Sequence, residues 1–226
     1  MILAENELQI IKKNRLFSGL DNDALERTLE FFKASGEDYK KGTLLKRSGE
    51  MPGHFGLVID GIVRIDTVSL DGRQMIMASV SSGGTFGESL DFLQRSAEIF
   101  ITASSDVRIL WLSTEKLRKA TALTADEFGI AQRFIAILAE RALSMNDRIQ
   151  ILSKATIRDK VLAFLSDCVR KNGKRHFTID FDRAELAAYL GCDRSALSRE
   201  LAKLRDEGII TYKKNEFTVK AYYPQN

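Results

Sequence analysis

Two arginines and two serines near the C-terminal end of the chain have the types and spacing needed to read the edge of a base pair. Arg194, Ser195, Ser198 and Arg199 fall at i, i+1, i+4 and i+5, one face of a helix, while Ala196, Leu197, Leu201 and Leu204 fall opposite. An arginine fork can bridge O6 and N7 of guanine with two hydrogen bonds, and a serine hydroxyl can pair with several bases. Chemistry of other kinds has less support. Glu88, Asp91 and Glu98 lie close in sequence, but no companion nucleophile or metal-ligand set accompanies them, so the chain reads as a non-enzyme with no metal site. Cys168 and Cys192 are too few for a four-thiolate iron–sulfur cluster; His54 after a Pro-Gly turn and His176 before a strand are poor candidates for axial haem ligands.

The arginine-bearing face needs elements that hold it. Asp182 and Glu185 form a capping-box-like pair opening a helix with apolar Leu186, Ala187 and Leu190; Gly191 permits a tight turn, and Asp193 caps the helix that follows. Beyond it, residues 208–219 read as two short strands joined by a polar turn, a wing carrying Lys213 and Lys214. Thr156, Arg183, Lys203, Lys213 and Lys214 are the expected phosphate contacts. Charge agrees with this placement. Residues 153–226 hold 15 Lys+Arg against 10 Asp+Glu, whereas residues 1–152 hold 19 against 21. A cationic small domain suits nucleic acid, because neutralising phosphates releases counterions.

The preceding two-thirds has a different texture. Helical spacing of Ala24, Leu25, Leu29 and Phe32 gives one short helix capped by Asp21. Turn signals then recur every 7 to 12 residues at Lys41-Gly42, Ser48-Gly49, Asp60-Gly61, Asp71-Gly72 and Gly83-Gly84, with alternating strands between them. A strand pair over 98–102 and 107–112 closes this antiparallel block. From Asp126 on, Ala131, Ile135, Leu138, Ala142, Met145, Ile149 and Leu152 step by alternating fours and threes, the a/d seam of a two-stranded coil. No stretch approaches the roughly 18 consecutive apolar residues of a membrane span, and the first residues lack signal-peptide order. A cytoplasmic protein is expected, with no membrane partner.

The β-roll glycines Gly42, Gly49-Glu50, Gly61, Gly83 and Gly87-Glu88, the long helix, and the run Arg183-Ala-Glu-Leu-Ala-Ala-Tyr-Leu-Gly-Cys-Asp-Arg-Ser-Ala-Leu-Ser-Arg199 together resemble the CRP/FNR family of transcription regulators. The resemblance spans nearly the whole chain. It implies an α+β fold: an N-terminal antiparallel β-roll of double-stranded β-helix or jelly-roll type, a long dimerisation helix, and a C-terminal winged helix-turn-helix. The matching divisions are 1–125 for effector sensing, 126–153 for dimerisation and 154–226 for DNA binding, with a hinge near Lys154. Implied partners are a second copy of the chain, double-stranded DNA with a roughly palindromic operator, and RNA polymerase.

Carried over residue by residue, Gly87-Glu88 matches the pair that contacts ribose in cAMP-binding members. Arg95-Ser96 has the composition of the pair that takes the cyclic phosphate, yet counting back from Ala103 to Asp106 places Ala97 and Glu98 there, and an acid would repel phosphate. Leu143 and Ser144 stand where two hydroxyls meet adenine. The expected effector is therefore a small molecule other than cAMP, in a pocket of Gly87, Glu88, Ser89, Arg95, Ser96 and Ser144. Ser195 replaces a glutamate that many members use to read cytosine, so operator preference should differ. A sensor module without DNA-binding activity is the alternative; Arg194 and Arg199 argue against it.

Overall fold

The protein is described by a computed structural model over residues 4–68 and 74–220, and its contacts divide it into two compact units. The first runs through Ala142, apart from residues 73–76. It opens with α1 (Glu5–Lys13) and α2 (Asn22–Phe31), the latter capped by Asp21, whose carboxylate accepts from the Ala24 amide at 2.8 Å. Strands β1 (Ser35–Tyr39), β2 (Leu44–Lys46), β3 (Phe55–Asp60), β4 (Ile62–Val68), β5 (Gln74–Ser81) and β6 (Thr85–Phe86) follow, then α3 (Glu88–Leu93), β7 (Phe100–Ala103), β8 (Val107–Leu112) and α4 (Glu115–Lys119). They form two four-stranded sheets, ordered β1-β8-β3-β6 and β2-β7-β4-β5.

The strand pair expected over 98–102 and 107–112 exists as strands but not as a pair. β7 lies in one sheet and β8 in the other, joined by a corner at Ser104 to Asp106. A second corner, at Gly61 between β3 and β4, leans against it: the Ser104 amide donates to the Ile62 carbonyl at 2.8 Å and the Ile62 amide to Ser105 Oγ at 2.9 Å. Gly61 has φ +84°, and a Cβ there would stand 2.2 Å from the Asp106 carbonyl oxygen. Only glycine fits. Gly42, Gly49 and Gly83 also take positive φ at the expected turns, whereas the turn at Asp71-Gly72 lies outside the described residues.

Between the sheets pack Val58, Val63, Val80, Phe86, Ile101 and Ile109; a second cluster joins the outer face of β3 and β8 to α1, α2 and the next helix through Phe17, Phe32, Phe55 and Phe134. That helix is α5 (Ala125–Leu152), 28 residues long, opened by reciprocal bonds between Thr124 and Glu127. Ile130, Ala131, Phe134 and Ile137 are buried on its inner face. Its outer face is apolar and uncovered: Phe128, Ile135, Leu143, Met145 and Ile149 are 56–66% exposed, and Ala142 is exposed as well.

The second unit contains the end of α5 with α6 (Ile157–Asn172), β9 (His176–Thr178), α7 (Arg183–Tyr189), α8 (Arg194–Asp206), β10 (Ile210–Lys213) and β11 (Glu216–Val219). A three-stranded antiparallel sheet, β10-β11-β9, backs the helices. The core is one cluster that includes Ile151, Val161, Phe164, Leu186, Leu190, Leu197, Leu201, Leu204 and Phe217.

Candidate nucleic-acid interface and effector pocket

α7 and α8 are built as the residue types dictate. Asp182 accepts from the Glu185 amide and Glu185 from the Asp182 amide, each at 2.8 Å, a complete capping box. Gly191 turns the chain at φ +59°. Asp193 then caps α8, accepting from the amides of Ser195 at 2.9 Å and Ala196 at 3.0 Å; the bond from the Ser195 hydroxyl and those amides hold its carboxyl below the usual range. A carboxylate at a helix N-terminus is stabilised by the exposed amides and the helix dipole. Leu197, Leu201 and Leu204 are fully buried, which fixes the rotation of α8 about its own axis.

That rotation leaves Arg194, Ser195, Ser198 and Arg199 exposed together. Neither arginine side chain makes a hydrogen bond or ion pair among the described residues. The serines are less free than their types suggested: Ser195 Oγ donates to Asp193 and Ser198 Oγ to the Arg194 carbonyl at 2.9 Å. Both hydroxyls keep acceptor capacity. The back of α8 is braced by Arg158 of α6, which reaches Glu200 at 3.2 Å and takes Glu207 with both arms of its fork. Sequence reasoning missed this brace, whose partners lie 42 and 49 residues away.

The expected phosphate contacts divide. Lys213 and Lys214 are exposed on the wing, and Lys203 is exposed with Glu200 at 3.8 Å. Thr156 serves as N-cap of α6, accepting from the Asp159 amide at 3.0 Å and donating to its carboxylate at 2.7 Å, so its hydroxyl is engaged locally. Arg183 also turns inward. It stacks over Tyr212 and Phe217 and donates to the Lys214 carbonyl at 2.7 Å.

In the first unit, Gly87 begins α3 at φ +84° and Glu88 is buried. The Glu88 carboxylate accepts from the Thr85 hydroxyl and from Arg141 of α5, 3.2 Å away; Arg141 also donates to the Thr85 carbonyl. The acid expected to meet an effector is thus already paired with a cation. Ser89, Arg95 and Ser96 are exposed, as is Glu98, and Ser144 lies on the exposed part of α5 belonging to the other unit. Asp91, buried in α3, accepts from the amide and hydroxyl of Thr114, both at 2.7 Å, and holds α3 to the start of α4. A cavity of about 280 Å³ opens inside the β-roll, lined in part by Tyr39, Lys46, His54, Phe86, Gly87 and Trp111. Of the expected effector residues only Gly87 reaches it. Burial lowers the Lys46 pKa, with Glu50 and Asp91 opposing the shift. No group of three or more His, Cys, Asp or Glu residues among the described residues is placed to hold a metal ion.

Of the expected seam, Ile135, Ala142, Met145 and Ile149 face outward, Leu138 and Leu152 are half-buried, and Ala131 is buried in its own chain. Phe128, seven residues before Ile135, continues the exposed row, while the small Ala131 is covered by its own chain.

With this geometry the chain can be set beside known proteins. The family model for the cyclic nucleotide-binding domain matches residues 37–122, and that for the Crp-like helix-turn-helix domain matches 159–222. The cyclic AMP receptor protein of Thermus thermophilus is 29% identical over 202 residues, 88% of this chain and 89% of that protein. The CRP-like protein Clp of Xanthomonas euvesicatoria is 25% identical over 198 residues, 84% and 85% of the two chains. The structure of FixK2 from Bradyrhizobium japonicum shares the fold with a TM-score of 0.68 at 22% identity, covering 83% of this chain and 93% of that one. No helix among the described residues is long and apolar enough to cross a membrane. Sensor domain, long helix and DNA-binding domain occur in the order of the CRP/FNR transcription regulators, and the chain belongs to that family of effector-controlled, DNA-binding proteins.

Proposed function

We propose that the chain acts in the cytoplasm as a homodimer that reads a roughly palindromic operator and engages RNA polymerase there. In this reading residues 1–125 sense the effector, 126–153 dimerise and 154–226 bind DNA. The observation that carries it is the pair Arg194 and Arg199, exposed and unengaged on a helix whose opposite face is fully buried. Arg194, Ser195, Ser198 and Arg199 meet base edges, while Lys203, Lys213 and Lys214 meet phosphate. The uncovered row Phe128, Ile135, Ala142, Met145 and Ile149 on α5 supports the dimer. A twofold dimer presents two copies of α8 and matches a palindrome.

The effector is a small molecule held against the 87–96 segment, and cAMP is not the leading ligand. Glu88 is already bonded to Arg141, Arg95 and Ser96 are exposed, and Leu143 offers adenine no hydroxyl. Gel-shift titration of genomic fragments over a salt series, with and without cAMP, tests both parts. Retention of particular fragments with an affinity that falls steeply with salt supports the reading. Absence of DNA binding at low salt points to the sensor-only alternative, and micromolar stimulation by cAMP overturns the effector assignment.

A further inference from the structure

We infer that Arg183 is a positioning residue for the wing, acting on DNA through Lys213 and Lys214 and not by touching phosphate itself. The inference rests on the reading of those two lysines as phosphate contacts. The Arg183 guanidinium carbon lies 4.9 Å from the centroid of Tyr212 and 5.1 Å from that of Phe217. Those rings stand on β10 and β11 and are directly paired across the hairpin, so one side chain from α7 spans both strands. Nη2 donates to the Lys214 carbonyl at 2.7 Å, while Nη1 is buried with no hydrogen-bond partner among the described residues. Desolvation lowers the pKa of the group. A cation meant for phosphate would keep its donors in water; this one is withdrawn and directs its hydrogen bond to a wing carbonyl.

The acceptor matters because Lys214 sits at the tip of the hairpin with φ +52°, a left-handed conformation that residues other than glycine adopt reluctantly. A turn of this kind needs outside support. Among the described residues it has two ties to the body of the domain: Arg183 to the Lys214 carbonyl, and the Ile179 amide to the Asn215 carbonyl at 3.0 Å. Lys213 and Lys214 themselves are exposed and make no ion pair among the described residues. The backbone that carries them is held by the Lys213–Glu216 pairing at the end of the hairpin and by these two ties, of which Arg183 supplies the one made by a side chain. Because Arg183 is also the first residue of α7, the same side chain fixes the wing against the helix pair whose second member, α8, is read as entering the groove. A planar fork can lie flat on two rings and still direct an N–H in its plane; a lysine ammonium cannot do both.

The test is the slope of log affinity against log salt, measured on a duplex recovered by selection from random DNA. Variants are the double Lys213→Ala/Lys214→Ala, then Arg183→Ala, Arg183→Lys, Tyr212→Leu, and Arg183→Ala combined with the lysine pair. Replacing the lysine pair should lower the slope by about one unit for each phosphate that is no longer neutralised. Arg183→Ala, Arg183→Lys and Tyr212→Leu should each reproduce most of that decrease, and Arg183→Ala should add nothing to the lysine pair. Tyr212→Leu keeps every charge and serves if Arg183→Ala does not fold. A wild-type slope in Arg183→Lys and Tyr212→Leu, or a further decrease of a unit when Arg183→Ala joins the lysine pair, makes Arg183 a direct phosphate ligand and overturns the inference. An unchanged slope in the lysine pair removes the wing reading itself, and the inference with it.

Discussion

Replacing Ile135 and Ile149 with alanine should take the proposed dimer apart without disturbing the single chain. The two side chains are 62% and 59% exposed in the protomer, so most of their apolar surface is still available to a partner. Full burial of an isoleucine is worth roughly 1.5–3 kcal/mol, which leaves each about 1–1.5 kcal/mol to gain on pairing. They are 14 residues apart on one helix, about 21 Å, far enough for their effects to add. Twofold symmetry removes each side chain twice. After a small part retained by alanine, the loss comes to ~4 kcal/mol per dimer, or about a thousandfold in dissociation constant. Sedimentation velocity over a concentration series reads that constant, and circular dichroism melts of dilute protein check the protomer. A dissociation constant within tenfold of wild type would show that the uncovered row of α5 is not the dimer contact. Leu138 is a poorer probe, because it packs partly against its own chain's core.

Gly61→Ala should cost about 2–4 kcal/mol in chemical denaturation, since the new Cβ meets the Asp106 carbonyl at 2.2 Å on a left-handed backbone; an unchanged midpoint would mean that the two β-roll corners do not touch. Arg141→Leu strands the buried Glu88 carboxylate and should lower stability by about 2–4 kcal/mol, reduced from a fully buried pair because the arginine is one-third exposed, while adding Glu88→Gln should recover part of the loss. Failure of the second change to recover anything would show that the pair is not what Arg141 provides. Glu115 is bonded by Lys119 and Lys33, which hold its carboxyl at about 2 instead of 4.5. Because this pKa is depressed, the contribution is present above about pH 4.5 and is lost as pH falls toward 2. Carboxyl NMR titration should return Glu115 to the ordinary range in Lys33→Met/Lys119→Met, and a pKa already ordinary in wild type would refute the pairing.

What could be read from the sequence was what neighbours in sequence decide. Asp182, Glu185 and Asp193 cap helices within three residues of themselves, and the Leu197, Leu201 and Leu204 spacing sets which face of α8 is left outside. Turn glycines announced Gly42, Gly49, Gly61 and Gly83 for the same reason. Long-range pairings carried no such signal. Arg141 finds Glu88 across 53 residues and Arg158 finds Glu207 across 49, and neither arginine stands out by type or spacing. α3, at six residues, is too short for periodicity to detect, and the assignment of β7 and β8 to different sheets depends on a corner supported by Ser105. Thr156 and Arg183 have the chemistry of phosphate ligands, but local acceptors and rings engage them first.

The most direct test of α8 as the reading element is selection of preferred sites from random DNA with wild-type protein and with Arg199→Ala. The exposed arginine should bridge guanine O6 and N7, so its removal should cost about 1–3 kcal/mol on the selected site and relax discrimination at one position in each half of a roughly palindromic motif. If Arg199→Ala instead weakens every sequence equally and the selected motif is unchanged, Arg199 is a phosphate clamp and α8 does not lie in the groove with this face toward the bases.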